Sequence, residues 1–231
     1  MSVTAIVVAA GEGRRIGNSV PKAYLTLAGR AMILRTLDRC FAAQSVDDVI
    51  LVVAESEISR CEELIRGDAA LAGRSWSLQT GGATRQQSVK KGLEKIGTAT
   101  DVVVIHDGAR PLVAPGLIDR SVTIARQKGA VVAGVPVRDT IKIVGSDRQV
   151  ESTPLRSTLW EIQTPQTFRR DIICAAHEAA TRSGVEATDD SMLVERSGYP
   201  VFVVEGERSN IKVTLPEDIL FAEALIREGR V

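Results

Sequence analysis

Four short stretches of this sequence concentrate the residues whose types and spacing can do chemistry. The first is Ala9-Ala10-Gly11-Glu12-Gly13-Arg14-Arg15-Ile16-Gly17, followed by Pro21-Lys22. Glycines in such a loop let the backbone approach a ligand closely and turn N–H groups onto phosphate oxygens. Arg15 and Lys22 add fixed positive charge beside them. Two familiar phosphate loops lose ground: no Gly-Lys-Ser/Thr triplet follows these glycines, and the third glycine of a GxGxxG pattern arrives one residue late, at Gly17. The second stretch is His106-Asp107-Gly108-Ala109-Arg110-Pro111, directly after an apolar run. A carboxylate there can hold a hard cation such as Mg²⁺ together with substrate phosphates, or it can serve as a turn or cap residue. His106 reads as a hydrogen-bonded structural residue more readily than as a base. The third, Gly81-Gly82-Ala83-Thr84-Arg85-Gln86-Gln87-Ser88, is a glycine turn feeding a helix N-terminus, able to read a base or phosphate. The fourth, Asn210-Ile211-Lys212-Val213-Thr214, places a lysine before the last helix; taken singly, Lys212 reads as a surface residue.

The elements that must position these stretches follow from periodicity. Continuous apolar runs at 5–9, 49–53 and 102–105 fit strands covered on both faces, with further strands at 76–78 and 130–137. Helical spacing marks the region of Ile33, Leu34, Leu37 and Phe41, and the segments 56–66, 84–95 and 115–128, the last opened by Pro115. Helices resume at about 169–182 and from Asp189, and Thr214 with Glu217 predicts a capping box on the last helix. Strand–helix alternation of this kind predicts an α/β fold with a mostly parallel sheet in a single domain spanning 1–231. The first glycine loop then falls at the end of the first strand, the binding edge of an open α/β sheet.

The rhythm breaks between Asp139 and Phe168. Residues 140–144 and 149–153, joined through Gly145-Ser146-Asp147, read as a hairpin more polar than the other strands. A two-stranded ribbon is marginal alone and leaves its edges unpaired. The arm at 139–160 is therefore expected to pack on a second subunit, with a substrate lid as the other reading.

Composition removes several classes of partner. The 231 residues carry 29 Lys+Arg against 29 Asp+Glu, so the chain lacks the basic surface of a general nucleic-acid binder. Aromatics at 3% leave no platform for stacking bases. The neutrality is an average: residues 1–30 hold Arg14, Arg15, Lys22 and Arg30 against Glu12 alone, a local +3 suited to a small polyanion. Cys40, Cys61 and Cys174 are dispersed without a CxxC spacing, as reduced cytosolic thiols are. No apolar run reaches the roughly 18 residues of a membrane span, and residues 1–10 lack the basic leader of a signal peptide. The expectation is a soluble, cytoplasmic protein.

Taken in order, AAGEGRRIG…PKAYL, GGATRQQSV, HDGARP, PVRDTIK, LWEIQTPQTF, TDD and NIKVTLPEDI resemble the 2-C-methyl-D-erythritol 4-phosphate cytidylyltransferases of the non-mevalonate isoprenoid pathway. The resemblance runs nearly the whole chain. It implies a Rossmann-like nucleotidyltransferase domain, a β-arm exchanged in a homodimer, and Mg²⁺-dependent transfer of CMP from CTP to a sugar-alcohol phosphate. By match of motif, Arg15 and Lys22 contact the triphosphate, Lys212 assists at the α-phosphate and Asp107 holds the metal. Ala10, Gly11, Gly82, Ala83 and Ser88 enclose the nucleotide, and Thr140 and Arg156 bind the acceptor across the dimer interface. Some relatives carry Asp where this chain has Ser209 or Ala83, so a contact at Ala83 must come from backbone. Transfer to ribitol 5-phosphate is the alternative acceptor chemistry. A nucleotide-binding regulator without turnover is the alternative class, disfavoured because Arg15, Lys22, Asp107 and Lys212 are all present.

Overall fold

The protein, seen in a computed structural model, is described over residues 2–11 and 21–231. It begins with β1 (Ser2–Val8). A small hairpin, β2 (Thr26–Leu27) and β3 (Arg30–Ala31), leads into α1 (Met32–Ala42). There follow β4 (Asp48–Val53), α2 (Ile58–Arg66), β5 (Trp76–Thr80), α3 (Arg85–Lys95) and β6 (Thr100–Asp107). The second half has α4 (Pro115–Lys128), β7 (Ala130–Pro136), a separate ribbon of β8 (Ile143–Val144) and β9 (Val150–Ser152), and β10 (Trp160–Arg169). It closes with α5 (Arg170–Ser183), α6 (Asp190–Arg196), β11 (Phe202–Glu205) and α7 (Pro216–Arg227).

Seven strands form one sheet in the order β11-β7-β10-β6-β1-β4-β5. Within it β10 runs antiparallel to β6 and β7, and every other paired strand is parallel. The sheet is buried on both faces because side chains alternate along each strand. Val3, Ala5 and Val7 of β1 join a cluster with Ile33, Leu37 and Leu117, while Ile6 joins Val89, Leu93 and Phe168 on the opposite face. After β5 the chain crosses to the other side of β1 to form β6. That reversal opens a crevice at the carboxyl ends of β1 and β6, where open α/β sheets bind ligands. The register sets Val8 beside Asp107 at its base.

The structure departs from the sequence reading in three places. Strands β10 and β11 fill sheet positions that periodicity did not indicate. In β10 the run Gln163-Thr164-Pro165-Gln166-Thr167 is polar and interrupted by proline, which argues against a central strand. The ladder with β7 breaks between Ile162 and Gln166, around a cis Thr164–Pro165 bond, and the four polar side chains are buried. At α7 the capping partner is Asp218, not Glu217. Its carboxylate accepts from Thr214 N, Thr214 Oγ1 and Leu215 N at 2.7, 3.0 and 2.8 Å, because the helix starts one residue later, at Pro216. The hairpin is present but shorter than expected, and its strands stand apart from the main sheet.

Helix α3 lies close on β1 through Gly92, where an added Cβ would sit 2.7 Å from Ile6 Cγ2. Ile6 is fully buried and has no room to withdraw. Gly92→Ala is therefore expected to destabilise by about 1–3 kcal/mol as overpacking, despite the roughly 1 kcal/mol that alanine offers an open helix site. Chemical denaturation checks this, and an unchanged or raised midpoint would contradict it.

Candidate active site

At the carboxyl ends of β1, β4 and β6 lies a cavity of about 790 Å³, within the roughly 300–1,000 Å³ typical of small-ligand sites. Ala10, Gly11, Lys22, Gly82, Ala83, Ser88, Asp107 and Lys212, all singled out from the sequence, line it. The turn after β5 can press against the end of β1 because residue 81 is glycine: a Cβ there would lie 2.4 Å from the Ala10 side chain. The turn is also closed onto α3. Gly82 N donates to Ser88 Oγ at 3.0 Å, Ala83 N donates to Gln87 Oε1 at 2.9 Å, and Thr84 caps the helix by accepting from Gln87 N. These N–H groups thus hold the turn in shape.

Asp107 is the electrostatic centre of the site. Its Oδ2 lies 2.8 Å from Lys212 Nζ and 3.8 Å from Arg110 Nε, and its Oδ1 lies 3.2 Å from Arg85 Nε. Burial alone would raise its pKa, but Arg85 first, then Lys212 and Arg110, hold the carboxyl well below the usual range. The group is therefore ionised at neutral pH. Lys212 reaches it because Val213 N donates to Ala109 O at 2.8 Å, tying the two segments together. Arg110 Nη1 in turn donates to Asn210 O at 2.7 Å, and Asn210 Nδ2 donates to Thr164 O at 2.8 Å.

His106 is fully buried and spent on structure. Its Nε2 stands 3.1 Å from Arg110 O, which only accepts, so that nitrogen carries the proton. Nδ1 then accepts from Thr164 Oγ1 at 3.0 Å, and that oxygen accepts from Asp107 N at 3.1 Å. Burial pushes the imidazole pKa down to about 4, against the pull of the Arg110 carbonyl. A neutral histidine with both nitrogens engaged is not a base for substrate.

Arg15 lies outside the described residues. Thr140 and Arg156 are exposed and line neither this cavity nor a second one of about 270 Å³ that shares Lys212 with it; the Arg156 guanidinium donates to Arg138 O at 2.9 Å. Sequence reasoning missed Arg85, Arg110, Thr164 and Asp190. Arg85 stands inside the GGATRQQSV stretch and Asp190 inside TDD, yet their contact joins residues 105 apart in the chain, and no spacing rule connects them.

A parallel-sheet crevice of this size, edged by lysines and floored by an ionised aspartate, defines a nucleotide-dependent transferase of the Rossmann-like kind. A family model for 2-C-methyl-D-erythritol 4-phosphate cytidylyltransferase (IspD) matches residues 3–228, and the chain belongs to that family. A relative of that name from Desulforamulus reducens is 42% identical over 98% of this chain and 96% of its own length. Another, from Geobacter metallireducens, is 43% identical over 99% of each. The fold is similar to the crystal structure of 4-diphosphocytidyl-2C-methyl-D-erythritol synthase from Anaerococcus prevotii, with a TM-score of 0.87 and 32% identity over 98% of this chain and 96% of that one. The chain is accordingly a cytidylyltransferase that forms 4-diphosphocytidyl-2-C-methyl-D-erythritol from CTP and 2-C-methyl-D-erythritol 4-phosphate.

Proposed function

We propose that this transfer runs by in-line attack of the acceptor's phosphate oxygen on the α-phosphorus of CTP. A new P–O–P bond forms, the α–β bond breaks and pyrophosphate leaves. The nucleophile is ionised at neutral pH, so no side chain has to remove a proton. Both histidines of the sequence are indeed buried in hydrogen-bonded networks, His106 with Thr164 and His177 with Asp190. What remains is positioning and charge neutralisation, the usual means of phosphoryl-type catalysis.

One observation carries the assignment: Lys212 lines both the nucleotide-sized cavity and a second cavity of about 270 Å³ bordered by Arg110, Arg208 and Asn210. An in-line displacement needs its entering and leaving groups on opposite sides of phosphorus, and a cation between two adjoining cavities can serve the atom in the middle. Lys22 and Arg15 are assigned to the triphosphate, and Ala10, Gly11, Gly82, Ala83 and Ser88 to enclosure of the nucleoside. Asp107 is the residue that would hold Mg²⁺, through a single carboxylate, in a site where the cation would otherwise depend on the substrate's phosphates. Bound Mg²⁺ would supply further neutralisation of the phosphate charge.

The arm completes the acceptor site from a neighbouring subunit. Ile143, Val144 and Val150 are 48%, 49% and 52% exposed and Leu155 is 70% exposed, an apolar surface that a second copy would cover. Thr140 and Arg156 stand on or beside it and serve the other subunit's acceptor. Sedimentation should give a dimer, and Ile143→Asp with Val150→Asp should give monomers whose KM for the acceptor rises while CTP still binds. A wild-type chain that sediments as a monomer at assay concentration would overturn this. The proposed location is the cytoplasm; among the described residues no helix is long and apolar enough to cross a membrane, and the three cysteines are unpaired.

The test is pyrophosphate release from CTP with each acceptor supplied separately and with chelator as a control. Release with methylerythritol phosphate, abolished by chelator, is expected. Release with ribitol 5-phosphate alone would reassign the acceptor, and release with neither would leave a nucleotide binder.

A further inference from the structure

Behind Asp107 lies a second carboxylate that the transfer does not use. Asp190, at the first turn of α6, has a side chain 1% exposed. It is not the helix cap, a role taken by Asp189, whose side chain accepts from Met192 N. Its two oxygens go instead to Arg85 Nη1 at 2.7 Å and to His177 Nε2 at 3.1 Å. Its backbone is fixed as well: Gln166 Oε1 on β10 accepts from both Asp190 N and Ser191 N at 3.2 Å. The Arg85 guanidinium therefore spans two carboxylates, Nη1 on buried Asp190 and Nε on Asp107 Oδ1 at 3.2 Å.

Building on the role given above to Asp107, we propose that Arg85, clamped by the Asp190–His177 pair, is a positioning residue that fixes the orientation of the Asp107 carboxylate in the transfer reaction. With Oδ1 held by Arg85, the carboxylate presents Oδ2 to Lys212 and the cavity. The clamp also keeps Arg85 itself from swinging onto the triphosphate, where a long cationic side chain at the edge of an anion site would otherwise go. A guanidinium suits this post because its planar fork carries donors in two directions, whereas a lysine ammonium is a single point of charge on a flexible stem. Burying an aspartate is unfavourable unless it is fully paired, and the fold meets that condition with one residue from α5 and one from α3. Asp190 is itself held below the usual carboxylate range: burial opposes this, and Arg85 and His177 outweigh it.

The test is steady-state kinetics on Arg85→Lys and Asp190→Asn, each alone and combined with Asp107→Asn. Each single change is expected to lower kcat about 10- to 100-fold, as loss of an orienting contact behind a site does, with KM for CTP nearly unchanged. In the Asp107→Asn background neither should lower kcat further, because residues acting through one another are not additive. Losses that multiply with Asp107→Asn, parental kcat in both variants, or a raised KM for CTP at constant kcat would overturn the proposal. An Asp107→Asn enzyme with parental turnover would overturn the reading of Asp107 itself, a distinct result. Should Asp190→Asn fail to fold, Arg85→Lys, at the partly exposed edge of the cavity, carries the same test.

Discussion

Lys212→Ala is expected to leave the melting temperature close to that of the parent while lowering kcat about 10²- to 10³-fold. The two halves of that expectation have separate causes. The Lys212–Asp107 contact is short at 2.8 Å, but the lysine side chain is 40% exposed. Ion pairs open to water to that degree contribute little to folding. Asp107 also keeps Arg85 and Arg110 when Lys212 is gone, so no buried charge is left alone. The catalytic loss has no such substitute. As the α-phosphate passes through its five-coordinate state, charge grows on its oxygens, and only a cation already in place can meet it without reorganisation. A residue acting at that moment lowers kcat and kcat/KM together, whereas one that merely holds CTP raises KM. Steady-state kinetics beside a thermal melt therefore decide the role. A kcat within about threefold of the parent in a folded variant would remove Lys212 from the chemistry.

How far such roles can be read from the order of amino acids alone depends on where each residue sits relative to an element end. Apolar runs located β1, β4 and β6, and residues directly following a strand are carried to the binding edge by the sheet itself. That is why Ala10, Gly11, Asp107 and the Gly82–Ala83 turn were legible, and why they meet in one cavity. Lys212 is different: it ends no strand, and only resemblance placed it in the site. Its position depends on a loop fastened by Val213 to Ala109 and by Asn210 to β10. Strand β10 was hidden because its polar residues and proline imitate a loop. Its hydrogen bonds run to His106, Asn210 and the α6 terminus, partners that lie 58, 46 and 25 residues away. The Arg85–Asp190 clamp was invisible for the same reason: contacts across that separation leave no periodic trace. Thr140 and Arg156 are exposed and line neither cavity, and the role proposed for them depends on a second subunit.

Lys22→Ala is the second large effect expected, a loss of about 10²–10³ in kcat/KM. Lys22 opens the short 3-10 helix Lys22–Tyr24 behind Pro21, and its neighbours Ala23 and Tyr24 are buried. Tyr24 packs under Arg60, whose guanidinium carbon lies 4.3 Å from the ring centre. The backbone carrying the lysine is thus anchored while its side chain borders the cavity. A triphosphate brings several negative charges into a space where Asp107 is also ionised, and each fixed cation offsets repulsion that would otherwise oppose binding and stabilises the charge that develops on the departing pyrophosphate. The ammonium also acts on Asp218, whose carboxyl is held below its usual value; burial opposes this, the Thr214 and Leu215 N–H groups drive it, and Lys22 adds to it. A weakened α7 is therefore a rival cause for any loss of rate, and it makes different demands. The hydrogen bonds from Thr214 and Leu215 to Asp218 do not involve Lys22, so α7 keeps its cap in the variant, and a thermal melt beside the kinetics separates the two causes. Lys22→Arg keeps the charge and should recover part of the rate, which a purely structural defect would not allow. Turnover within about threefold of the parent, in a folded Lys22→Ala protein, would take the triphosphate role away from this residue.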